Sequence, residues 1–463
     1  MIKKSLINIS NAYFLFAASF LLNSCVTTKT QKTASSLSHI SRSANFADLK
    51  KTTSTILSNK KSSDNHLLAN MEGGLAAYHL KDYDNALDLF TKADEELTAL
   101  YFKADVDIEK SFKDYFNRTA RGPYLGNMHE KFNICAYALL SCLGLNDMDQ
   151  ARVWANRTIE SSEMAQELYQ KRENEIAKYK KASVDARNER KEKVRNFYSK
   201  HADVEVYPEF INPFALGLAA IIKLSDANDA DGAEEAIQIL KNLEKKTNYK
   251  WPRVLIRKVE KKLQKGSPLN GKFIIASGGT IKFRKIYEYK MMMPSGRERT
   301  VKWHTIADLA DGSEFRHELS DDFSIMSEND FIAIDSFLKA NETFAGKLHI
   351  ATVQFNQNID DSTRTFNKGT EGQNQLIAAP FDSIISSLDR FREAGTKINA
   401  ADLRGWHSLP KEHNIAFIEG DEDLPKMKFE GRKVEIEGKA KELELIHIRS
   451  THSADIIHHH KLF

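Results

Sequence analysis

The sequence predicts an α+β chain of more than one domain: an N-terminal body of helical repeats, then a mixed, β-rich sheet or sandwich. Three observations lead there. Small and apolar residues recur at helical spacing from residue 65 to 265. From Gly271 the period changes to two, in runs rich in Ile, Phe, Tyr and Val. The 463 residues are 41% hydrophobic and 28% charged, enough apolar material for a sizeable core. That composition excludes a mostly disordered chain and a multi-span membrane protein. Lys and Arg number 67 against 64 Asp and Glu, a net charge of +3. This balance argues against a general nucleic-acid binder. Three Cys are too few for a disulfide scaffold.

Residues 1–24 read as a secretion signal. Lys3 and Lys4 give a positive start, and the apolar run Tyr13 to Leu22 is too short to span a bilayer, which takes about 20 residues. The run ends in Leu22-Asn23-Ser24-Cys25. These residues resemble the lipobox of bacterial lipoproteins, with Asn23 where Ala or Ser is more usual. The resemblance implies a diacylglycerol on the Cys25 thiol and a further acyl chain on its freed amine. Val26, rather than Asp, implies sorting to the outer membrane of a Gram-negative cell, facing the periplasm. An ordinary signal peptide with a coincidental Cys and an uncleaved anchor are the alternatives. Residues 25–63 then form a lipidated, Ser/Thr/Lys-rich tether, flexible and basic, with Lys29, Lys32, Arg42, Lys50, Lys51, Lys60 and Lys61 against Asp48 alone. A short helix at 46–57 is compatible with this reading.

The helical body is expected over 64–266. Residues 70–97 carry Gly74, Ala77, Tyr78, Tyr83, Ala86, Phe90 and Ala93 in the order of a tetratricopeptide repeat. Small residues let paired helices approach, Tyr83 packs near the turn and Phe90 fills the space beyond. A second unit spans 127–160, with its turn at Asn146-Asp147 and Ala151 at the small position. A degenerate third starts at Asn212-Pro213 and continues through Ala236 and Leu240. Such repeats need neighbours to bury their faces. Between the second and third lies a charged helix, 161–201, read as a long solvated helix, with a projecting hairpin or coiled coil as the alternative. Cys135 and Cys142 lie seven apart in one helix, about 10.5 Å along its axis. A disulfide needs Cα atoms within about 7 Å, so two buried free thiols are expected.

The motif order Tyr124-Leu125-Gly126 with Glu130, Ala151-Arg152-Val153 with Ala155 and Arg157, Asn212-Pro213-Phe214, and Ala401-Asp402-Leu403-Arg404 with Trp406 and Leu409-Pro410 resembles a poorly characterised family of Gram-negative outer-membrane lipoproteins with tetratricopeptide-like repeats. The resemblance implies a role in envelope assembly or secretion and brings no catalytic residues. The chain departs from that family at Gly278-Gly279-Thr280, which lacks its usual Pro.

In 271–463, strands are expected at KFIIAS, IKFRKIYEYKMMM, TVKWHTI, 347–355, HNIAFIEG, KMKFEGRKVEIEG and KELELIHIRS, with helices at 331–340 and 381–394. A hairpin turn is expected at Pro294-Ser295-Gly296, and turns at Gly431 and Gly438. No GxSxG, P-loop, HExxH or CxxC pattern is present, and no cofactor or metal site is read. The tail His458-His459-His460, with His447, His452 and Asp455 nearby, reads as a flexible run that offers no preformed metal site. Trp406 and His407 read as core. The functional expectation is a non-enzymatic, membrane-tethered scaffold or adaptor. It would bind a protein partner on a concave repeat surface, with Tyr78, Asn85 and Tyr137 as candidate contacts. A peptidoglycan-associated lipoprotein that assists cell-wall synthesis is the alternative, and an enzyme within 271–463 the third reading.

Overall fold

The computed structural model describes residues 36–106, 123–124, 126–185, 211–225, 230–247, 249–281, 283–292, 298–310, 315–319, 324–327, 404–420, 422, 424–436 and 442–462. Cys25, the strand expected at 347–355, the helices expected at 331–340 and 381–394, and the turns at 294–296 and Gly438 lie outside these residues.

The helices are α1 (Phe46–Leu57), α2 (His66–His79), α3 (Tyr83–Val106), α4 (Met128–Gly144), α5 (Met148–Asp185), α6 (Pro213–Ser225), α7 (Ala230–Thr247) and α8 (Trp251–Gln264). They pack as three successive pairs, α2 with α3, α4 with α5 and α6 with α7, each pair against the next. The first two turns are built alike. In one, Lys81 takes a left-handed φ of 62° and Asp82 N–H donates to the Ala77 carbonyl at 2.9 Å. In the other, Asn146 takes 58° and Asp147 N–H donates to the Cys142 carbonyl at 2.9 Å. Both are Schellman-type closures. Asp147 also accepts from Gln150 N–H at 3.0 Å, and Asn212 caps α6 through Ala215 N–H at 3.0 Å.

Glycines set the spacing within and between pairs. A Cβ on Gly74 would lie 2.7 Å from the Phe90 ring, and one on Gly144 would lie 2.6 Å from the Tyr83 ring. Phe90 therefore lies flat on its own hairpin, with Tyr137 and Trp406 also against it, at ring centroids of 6.2 and 6.0 Å. Tyr83 reaches the end of the next pair.

Two expectations change here. The tether was expected to be flexible through residue 63, but α1 is folded onto α2. Phe46, Leu49, Thr53 and Ile56 recur at helical spacing and are buried. The charged helix expected from 161 is the continuation of α5, which runs unbroken to Asp185; no Pro or Gly interrupts it. Residues 186–201 lie outside the described residues. Cys135 and Cys142 are free and buried as expected, and burial pushes both thiols up to about 12.

The strands are β1 (Gly271–Gly278), β2 (Phe283–Met292), β3 (Glu298–Ala310), β4 (His317–Glu318), β5 (Ser324–Ser327), β6 (Glu412–Glu419), β7 (Met427–Phe429), β8 (Arg432–Val434), β9 (Leu443–Ser450) and β10 (Asp455–Lys461). The main sheet has the order β10-β9-β1-β6-β5; β1 and β9 are parallel, and the other pairings are antiparallel. β2 and β3 form a separate hairpin, and β4, β7 and β8 a small third sheet.

β1 is buried along its whole length, and its alternation sorts two cores. Ile274 and Ala276, with Ile418, Ile446 and Ile448, pack against Met427, Phe429 and Val434 of the small sheet. Phe273 and Ile275, with Ile415 and Leu445, join the helical core. The result is three layers: helices, main sheet, small sheet. The units expected at 64–266 and 271–463 share one continuous hydrophobic core.

The Gly74 contact gives a direct test. Gly74→Ala forces the Phe90 ring against neighbours that leave it no room, and overpacking of this kind costs about 1–3 kcal/mol. Urea unfolding should show a lower midpoint with an unchanged slope. An unaltered midpoint would mean that the two helices can separate freely.

Candidate functional site

The chain's most concentrated chemistry lies where the main sheet meets the helices. Period-two alternation puts Ser277 of β1, His413 of β6, His447 and Arg449 of β9, and His458 and His460 of β10 on the helix-facing side of the sheet. The register confirms it: Ser277 pairs with His413, and His447 with His458. Opposite them, the helices present Tyr78 and His79 from α2, Tyr83 from α3, Tyr137 from α4 and Phe214 from α6. Apart from Tyr83, which is half-buried, every one of these side chains is buried.

Hydrogen bonds link them in a line. His413 Nδ1 is 2.7 Å from Ser277 Oγ, which is 2.9 Å from His447 Nε2. His447 Nδ1 is 2.8 Å from the Tyr78 hydroxyl, and that hydroxyl is 3.5 Å from His460 Nε2. Each hydroxyl carries one proton, so Ser277 can donate to only one of its two imidazoles, and at least one imidazole N–H must donate to it. Beside the line, Tyr83 hydroxyl lies 2.9 Å from His458 Nδ1. The His458 ring stacks on Tyr78 at 4.3 Å, and His413 stacks on Phe214 at 3.6 Å and 6°. His79 lies 4.5 Å from the Phe46 ring and 5.7 Å from that of His458, and neither of its ring nitrogens has a hydrogen-bond partner among the described residues.

Burial sets the electrostatics. It holds His79 and His447 well below the usual imidazole value, and the neighbouring His458 adds to this. Burial and then His460 bring His458 down to about 3. His460 falls to about 4, mainly by burial, with the Leu143 backbone opposing. Tyr78 is raised by burial and by Tyr83 and Tyr137. Near pH 7, His79, His447, His458 and His460 are therefore neutral. Arg449 lies within the seam; its Nη1 donates to the Gly279 carbonyl at 3.1 Å and its Nη2 to that of Ser408 at 3.4 Å. The Ser277–His447 distance is that of a nucleophile and its base. Ser277 is fully buried, however, and the far side of His447 meets a phenol rather than a carboxylate.

Beside the seam, residues 404–408 are strapped to the helices by two buried carboxylates. Glu130 of α4 accepts from Tyr124 hydroxyl at 2.6 Å and from Trp406 N–H at 3.1 Å. Glu72 of α2 accepts from His407 N–H at 2.8 Å and from the Ser408 hydroxyl. Arg404 donates to Asn65 Oδ1 at 3.0 Å, with its guanidinium 5.4 Å from the Tyr124 ring centre. Burial raises Glu72 to about 7, against four hydrogen bonds that lower it.

Of the expected contact residues, Tyr78 and Tyr137 come together, with ring centroids 5.6 Å apart. The open concave surface expected around them is instead filled by the chain's own sheet, which buries both completely. Asn85 stands apart, half-buried in the first turn of α3 beside Asp82. The His tail is not a flexible run: it is edge strand β10, with His458 and His460 facing inward. Asp455 bonds Arg432 and Ser450 rather than a histidine. Among the described residues no three His, Cys, Asp or Glu are arranged to hold a metal ion. Glu72 and Ser277 were missed; a lone acid beside Gly73-Gly74 in an apolar helix was the available signal for the first.

No protein-family model, curated protein or solved structure matches the chain.

Two opposed pH dependences follow. Glu72 keeps a proton in the folded chain between pH 4.5 and about 7 that the unfolded chain has released. Its contribution is full below pH 4.5 and lost as the pH rises through 7. Relative to Glu72→Gln, the wild type should lose about 3 kcal/mol between those limits, read from denaturant unfolding at each pH. An identical pH profile in both proteins would contradict a buried, proton-holding Glu72.

His458 and His460 act the other way. Their folded values lie below 6.5, so their contribution is full above pH 6.5 and lost as the pH falls toward 3 to 4. His458→Phe keeps the stacking on Tyr78 but removes one titrating group. It should reduce the loss of stability between pH 6.5 and 4 by a few kcal/mol. If the acid limb is as steep in the variant, His458 is not held neutral.

Proposed function

We propose that the chain is a non-enzymatic scaffold or adaptor, anchored by lipid at Cys25 to the periplasmic face of the outer membrane, that binds a protein partner in envelope assembly or secretion. The observation that carries this reading is the serial stack of helix pairs with two turns of the same construction. It supports tetratricopeptide-like repeats, an architecture whose usual work is to hold other chains. Among the residues that carry the resemblance to the outer-membrane lipoprotein family, Tyr124 and Glu130 meet Arg404 and Trp406 from far along the chain.

The structure alters how such a scaffold would present itself. Tyr78 and Tyr137 serve from within, fixing the sheet on the repeats, so the partner surface is a composite of helix rim and sheet. Asn85, at the start of α3, lies on that rim. Among the described residues no helix is long and apolar enough to cross a membrane, and attachment through Cys25 needs none. Two or three acyl chains hold a protein lastingly, since each buried CH₂ contributes about 0.8 kcal/mol.

Mass spectrometry of the mature N-terminus should show an acylated Cys25, and Cys25→Ala should leave the membrane fraction. A photo-crosslinking residue at Asn85 should capture one envelope protein in intact cells, while the same residue at Tyr78 should crosslink only within the chain. An unacylated wild-type product would remove the anchor; the absence of any adduct from Asn85 would remove the partner surface.

A further inference from the structure

We propose that the outward face of α8 is a second membrane-contact element, which docks on the anionic phospholipid surface of a bilayer. Residues 241–265 hold ten Lys and Arg against two Glu, a net +8 in a chain whose total is +3. Within this segment α8 organises its cations into a row. Its flanking residues Lys250 and Lys265 are themselves in helical geometry, so helical spacing extends through both. Lys250, Val254, Arg257, Lys261 and Lys265 follow at intervals of four, three, four and four and share one face. The row is about 22 Å long.

All five residues are exposed, Val254 at 47%. None of the four cations has an ion pair among the described residues. Their neighbours do: Arg253 meets Glu244, Lys258 meets Glu422 at 2.9 Å, and Lys262 meets Glu419 at 3.5 Å. These last two pairs, with Trp251, Leu255, Ile256 and Val259 buried on the opposite face, pin the helix against the sheet. The unpaired row is thus held pointing outward.

The shape selects the ligand. A straight cationic row on a convex helix, with one apolar side chain in its midst, suits a flat anionic surface, where each Lys or Arg within a Debye length of about 8 Å adds attraction. It does not suit a single nucleic-acid strand, which needs aromatic platforms in a groove; here Trp251 is buried and Tyr249 half-buried.

The test uses the full chain carrying Cys25→Ala, so that failure here leaves the proposed anchor untouched and failure of the anchor leaves this contact untouched. The probe is flotation with vesicles of phosphatidylglycerol and phosphatidylcholine, compared with phosphatidylcholine alone, which measures what the apolar segment 13–22 contributes. Binding to the anionic vesicles should be tighter and should weaken with added salt. Arg257→Glu/Lys261→Glu should reduce it by about thirtyfold or more, whereas the charge-matched Lys51→Glu/Lys426→Glu should not. Arg257→Gln/Lys261→Gln serves if the reversals lower the melting temperature. Three results would overturn the proposal: no preference for phosphatidylglycerol, equal loss in the charge-matched control, or row-dependent binding to soluble polyphosphate without vesicle binding.

Discussion

The docking of one sheet face onto the inner side of the helices holds this molecule together, and its composition is unusual for a core. Where Leu or Ile would be expected, β9 and β10 place His447, His458 and His460. Such groups are tolerated inside only if they stay neutral and are largely hydrogen-bonded, since a buried polar group without a partner costs about 1–3 kcal/mol. The helices meet that condition with phenols. Tyr78 and Tyr83 bring large apolar rings to stack on the imidazoles and hydroxyls to bond them. The same side chains thus supply both the packing and the polar satisfaction, and the seam specifies one registration of sheet on helix more sharply than an apolar face would.

The strap at 404–408 completes this arrangement from the other side. Trp406 fills the space between Phe90 and Tyr137, and its backbone N–H ends on Glu130. Ser408 links Glu72 to Arg449, so helix α2, the strap and strand β9 meet through one serine. Seam and strap depend on protonation in opposite senses: the imidazoles must be bare and Glu72 protonated. Their combined optimum lies in the mildly acidic to neutral range, where neither is far from its preferred state.

Much of this was legible in the sequence, and the gaps have physical causes. Gly74, Phe90 and Ala86 announced a close helix pair because the small-residue pattern is imposed by the approach of two backbones. β1, β6 and β9 announced themselves through alternation. β10 did not, because two of its inward positions carry His458 and His460, which a hydropathy pattern counts as polar; only Ile456, Ile457 and Leu462 hinted at a strand. Tyr78 and Tyr137 were expected on an open concave surface, but both are covered, Tyr78 by His447, which arrives about 370 residues later in the chain. Single-sequence patterns report local period, and such long-range coverings lie beyond them. Glu72 was hidden for a similar reason: its partners, His407 and Ser408, have no local relation to α2.

That separation in sequence has a further consequence for how the fold is reached. The helical body precedes its cover, so Tyr78, Phe90 and Tyr137 are synthesised well before Trp406, His447 and His458 exist to bury them. Contacts of such long range are slow to form, because loop closure must precede any gain. β1 cannot shield the helices alone, since its neighbours β6 and β9 come from residues 412–450. The aromatic inner face of the helices is therefore made before the strands that bury it. The mature structure closes that surface with the chain's own last strands.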